Sequence, residues 1–88
     1  MTSDPLANLR IEFRQRAARD RAALIQSLAA GDIGQVEWIA HGLAGSAGMF
    51  GFSDLAEAAL AIDEAFAAGR GLDAEEADRL VARLEALD

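Results

Sequence analysis

The sequence predicts an all-α fold, an antiparallel up-down-up-down four-helix bundle, and three observations carry that prediction. Apolar residues recur three and four apart along most of the chain. No stretch alternates apolar and polar residues over the length of a strand. Short glycine-containing breaks divide the chain into four helical segments, and connections this short make neighbouring helices antiparallel.

The first helix is expected to begin at about Pro5, a favoured first-turn residue behind the candidate cap Asp4, and to reach about Ala29. Its apolar stripe is Leu6, Leu9, Phe13, Ala17, Leu24 and Leu28, with Ile25 beside it. Asp20 and Arg21 interrupt the stripe and predict a kink or split there. Gly31 closes this helix and Asp32 caps the second, expected over Ile33 to Phe50. Val36, Ile39, Ala40, Leu43, Ala47 and Phe50 form its core stripe. Gly51 ends it and Ser53 is the expected cap of the third, with Asp54 and Glu57 suiting the positive N-terminal end. The third helix buries Leu55, Ala59, Ile62 and Phe66 and breaks at Gly69-Arg70-Gly71. Asp73 caps the fourth, Glu76 is its capping-box partner, and Ala77, Leu80, Val81, Leu84 and Leu87 face inward.

Eighty-eight residues make one domain, expected over 1–88, near the lower end of what folds unaided. The chain has no cysteine, which excludes disulfides and thiolate metal sites. Its single histidine excludes a multi-histidine zinc site within the chain. The longest apolar run, Ala58–Ile62, is far too short to span a membrane. The first residues lack the basic flank and apolar core of a secretory signal, so a cytoplasmic location is expected. A net charge of -7 argues against nucleic acid as a partner. All the basic residues are arginine, and Arg10, Arg14, Arg16, Arg19 and Arg21 cluster on the first helix. That cluster is either a solvated, ion-paired face or a contact for an acidic or phosphorylated partner.

The single histidine, His41, lies in the most unusual stretch of the chain. At about 100° per residue, Gly34, Glu37, Trp38, Ala44, Gly45 and Gly48 share its face of the second helix. Four of those six carry nothing larger than a methyl group. Each interior helix glycine costs about 0.8–1 kcal/mol relative to alanine, so stability alone does not account for them. The glycines serve either close helix packing or the approach of something large to the imidazole. General acid–base work would need a cleft and an orienting carboxylate, and haem or metal ligation would need a second ligand and an enclosing cavity. Phosphoryl capture needs only an accessible nitrogen, because the partner brings the metal and the leaving group.

The run His41-Gly42-Leu43-Ala44-Gly45-Ser46-Ala47, with Gly51 beyond it, resembles the signature of histidine-containing phosphotransfer (HPt) domains, H-x-L-K-G-S/A-S/A followed by a glycine. The preceding Ala-Ala-Gly-Asp, the Phe50-Gly51-Phe52 turn and the next helix are similar to the chemotaxis-kinase branch. The resemblance spans roughly 9–87 and implies a phosphorelay intermediate rather than an enzyme. His41 would accept a phosphoryl group at Nε2 from a receiver-domain aspartate and pass it to another receiver. Gly45 would make room for the phosphoryl group, with Ala44 and Gly48 extending the contact surface. Response-regulator receivers or a hybrid histidine kinase are the implied partners; nothing in the sequence argues for dimerisation, so a monomer is expected. Magnesium would belong to the receiver, leaving this chain without a cofactor.

The resemblance also implies that Asp63 holds Nδ1, although a solvated carboxylate beside Glu64 is the alternative. Trp38 and Glu37 complete the expected docking face, with Trp38 either a partner anchor or partly buried. One departure is notable: the family usually has lysine where this chain has Ala44, and the chain contains no lysine. An arginine of the first helix could substitute, with Arg10, Arg14 and Arg21 as candidates, or the partner could supply the charge. Failing both, transfer would be slow or lost, and the domain would be a transfer-impaired adaptor that docks receivers or kinases.

Overall fold

The computed structural model describes residues 4–87; Met1–Ser3, part of the stretch read for a signal, and Asp88 at the end of the expected domain lie outside them. The elements are α1 (Ala7–Ala30), α2 (Ile33–Ser46), a 3-10 turn (Gly48–Phe50), α3 (Ser53–Ala67) and α4 (Ala74–Glu85), and no strand occurs among the described residues. Each helix packs on the next, α4 closes back on α1, and the diagonal pairs stay apart. With short connections reversing the chain each time, this is the antiparallel four-helix bundle.

All four helices feed one core. Leu24, Val36, Leu43, Leu55, Ile62 and Leu80 are fully buried at its centre. Ala40 and Ala47 of the α2 segment and Ala58 and Ala59 of α3 are buried too, and these small side chains let the two helices close on each other. Asp32 caps α2 by accepting from the Gln35 amide at 3.2 Å, and Asp73 caps α4 by accepting from the Glu76 amide at 3.3 Å.

Several expectations are corrected. α1 runs unbroken past Asp20 and Arg21, because both stand at the edges of a stripe centred on Phe13, Ala17 and Leu24. It starts at Ala7 instead of Pro5, after a turn in which Asp4 Oδ1 accepts from the Leu6 amide at 2.9 Å. Leu6, Leu9 and Ile25 are exposed, not core. α1 has 24 residues against 14 in α2 and 12 in α4, so its first turns outrun the helices that could cover them. α2 stops at Ser46, short of Phe50, and the chain tightens into the 3-10 turn. There Phe50 and Phe52 pack on Phe13, with ring centroids 5.5 and 5.1 Å away. Gly51, at φ 86°, makes the left-handed turn between them. As a result Phe52, and not Ser53, occupies the cap position of α3, without a side-chain cap bond.

Candidate functional site

The inner side of α2 is buried at Val36, Ile39, Ala40 and Leu43, which forces Glu37, Trp38, His41 and Gly45 outward. The His41 side chain is 69% exposed. On α3, burial of Ile62 and Ala59 brings Asp63 to the edge facing α2. Its Oδ1 lies 3.1 Å from His41 Nδ1. A carboxylate accepts and cannot donate, so this bond selects the tautomer with the proton on Nδ1 and the lone pair on Nε2.

Around the ring, Gly34, Glu37, Trp38, His41 and Asp63 line one open depression of about 410 Å³. Trp38 is 72% exposed, so it is not buried against a neighbouring helix. At Gly45, one turn beyond the histidine, a Cβ would meet nothing within 4 Å. Gly48 belongs to the 3-10 turn and looks toward α3, where a Cβ would meet that of Ala56 at 3.7 Å. Ala44 is half-buried. The face expected from the helical wheel therefore divides. Gly34, Glu37, Trp38, His41 and Asp63 gather around one depression, Gly45 leaves open space beside it, Gly48 turns toward α3, and Ala44 packs half-buried on the core.

The depression is lined by two carboxylates and no cation. The three arginines expected to substitute for the lysine are engaged elsewhere or on another flank. Arg10 pairs with Asp4 at 2.8 Å, and Arg14 stacks over the Phe52 ring at 5.3 Å. Arg21 shares their flank of α1. The arginine that reaches α2 is Arg16, whose Nη2 comes to 3.3 Å of where a Cβ at Gly42 would stand. Its signal in the sequence was its position on the opposite flank from Arg10, Arg14 and Arg21, together with the glycine next to His41.

No group of three or more His, Asp or Glu among the described residues could hold a metal ion. No described helix is long and apolar enough to cross a membrane. The family model described as Hpt domain matches residues 8–88. Neither the curated proteins nor the solved structures give a match.

Proposed function

Because the chain belongs to the Hpt domain family, we propose that it is a phosphorelay intermediate with His41 as its phosphoryl acceptor. Hpt domains have a phosphotransfer role in two-component signalling and work with receiver domains and histidine kinases. The observation that carries the assignment to His41 is its exposed imidazole, held at Nδ1 by Asp63 beside the open space at Gly45.

In the proposed step, a receiver docks over Trp38, Glu37 and Gly45 and presents its aspartyl phosphate to Nε2. The nitrogen lone pair forms the N–P bond while the acyl P–O bond breaks, and the aspartate carboxylate leaves with the bonding pair. The ring gains positive charge, which the Asp63 carboxylate offsets through the Nδ1 proton that it already holds. Magnesium stays with the receiver, and the reverse step passes the phosphoryl group on. The chain acts as a cytoplasmic monomer with no catalysis of its own.

Incubation with a phosphorylated receiver should give an acid-labile, base-stable adduct that His41→Ala lacks. Labelling that survives this substitution would refute the assignment. Ala44, standing where the family usually has lysine, favours a second reading as an adaptor that docks receivers without relaying. An adaptor would bind a receiver equally well with His41→Ala and never become labelled.

A further inference from the structure

The phosphoryl group that the proposed relay brings to α2 arrives negatively charged at a face that is already negative. Glu37 and Asp63 border the depression beside His41, and the whole chain carries -7. A charge of the right sign is available on the neighbouring helix.

At about 100° per residue, Arg16, Asp20 and Ser27 share one flank of the Phe13–Ala17–Leu24 stripe. That flank faces α2, since Ala23 and Ser27 line a hollow with Asp32 and Gln35, and Arg16 approaches Gly42. The 3.3 Å separation between Arg16 Nη2 and a Cβ built at residue 42 is tighter than nearly all real Cβ contacts. Glycine at 42 thus lets the guanidinium rest against the helix next to His41. Asp20 steadies the other side, its Oδ2 lying 3.6 Å from Arg16 Nε. The guanidinium therefore rests against the residue that adjoins His41 in the chain, and adjacent Cα atoms are about 3.8 Å apart. α1 and α3 both pack on α2 but not on each other, so Arg16, at Gly42, and Asp63, at His41, approach α2 from opposite sides. The Arg16 side chain is 50% exposed and able to swing toward the outer face.

We propose that Arg16 is the charge-compensating residue of phosphoryl transfer at His41, its guanidinium leaving its seat on Gly42 to meet the phosphoryl oxygens opposite Asp63. This inference rests on the relay reading. Arg16 forms no covalent bond and gives up no proton; its planar donors bind oxygens whose charge the two carboxylates would otherwise repel.

The test treats the full chain with potassium phosphoramidate, a small donor that requires no partner. Nε2 forms the N–P bond, the donor's P–N bond breaks, and ammonia leaves with the bonding pair. Labelling rate and the 31P shift of the phosphohistidine are compared for wild type, Arg16→Gln and Arg16→Lys at low and high salt. Arg16→Gln should label about tenfold more slowly at low salt, with a moved 31P shift and unchanged helical content. The gap should shrink near 1 M salt, where the screening length is about 3 Å. Arg16→Lys should restore most of the rate, which a purely structural role would not predict. Equal rates and equal 31P shifts in wild type and Arg16→Gln, both labelled at His41, would overturn the role of Arg16 and leave the relay standing. Absence of label at His41 in wild type itself, under donor and receiver alike, would overturn the relay and this inference with it.

Discussion

His41 Nδ1 and Asp63 Oδ1 meet at 3.1 Å across 22 residues of sequence, joining α2 to α3 at the edge of the bundle. The bond orients an otherwise exposed ring and keeps the proton off Nε2. A hydrogen bond to a charged group contributes about 1.5–3 kcal/mol. Only the part of that contribution that grows as the ring becomes cationic counts toward the rate, so Asp63→Ala should slow phosphorylation of His41 about tenfold, at about 1.4 kcal/mol per tenfold. Nitrogen NMR of the imidazole should show the tautomer balance moving toward Nε2–H. A variant that keeps both the wild-type tautomer and the wild-type rate would remove Asp63 from the mechanism.

Gly45 offers a separation of stability from function. Nothing lies within 4 Å of a Cβ there, and the residue is within the last turn of α2. Gly45→Ala should raise stability by about 0.5–1 kcal/mol through the backbone entropy it removes. Gly45→Arg should also leave the fold intact, because its side chain points into open space. It should nonetheless abolish labelling by a phosphorylated receiver, since the added bulk fills the approach to His41. Denaturant midpoints and labelling rates on the same samples decide the point. A folded Gly45→Arg protein that is labelled normally would mean that partners approach from elsewhere.

Much of the architecture was legible in the sequence because helix periodicity and caps are local signals. Asp32, Gly31 and Asp73 act where the pattern placed them, and Leu24, Leu43, Ile62 and Leu80 point inward as their spacing requires. The end of α2 was not legible. Its apolar spacing continues to Phe50, while the chain tightens at Gly48 because Phe50 and Phe52 are drawn onto Phe13 of another helix. That Arg16, and not Arg10, Arg14 or Arg21, reaches α2 was hidden for a related reason. The spacing separates the two flanks of α1, but only the arrangement of the four helices decides which flank meets α2.

Gly51 carries a conformational demand that no neighbour explains. A Cβ there would meet nothing within 4 Å, yet φ is 86°. Gly51→Ala should cost about 1–2 kcal/mol, the penalty for a left-handed L-residue. Because the turn sets Phe50 and Phe52 against Phe13, near-ultraviolet signals of the phenylalanines should loosen before the helices melt. Urea unfolding followed at both wavelengths tests this, and a variant as stable as wild type would show that the turn relaxes without strain.

Asp20 should give the bundle a pH dependence opposite to that of a simple ion pair. Burial raises its pKa above the ordinary carboxylate value, and the charges of Arg16 and Arg19 offset only part of that effect. A carboxyl with a raised folded pKa binds its proton more tightly in the folded state. Its favourable contribution is complete below the unfolded value of about 3.9 and is lost as pH rises through the higher folded value. The stability of wild type relative to Asp20→Asn should thus be greatest at about pH 4 and decline toward neutrality. Because the group remains partly solvated, the change should stay below about 1 kcal/mol. Urea midpoints of both proteins over that range measure it. A difference that grows with pH would mean that the contact with Arg16, at 3.6 Å, outweighs the cost of burying the charge.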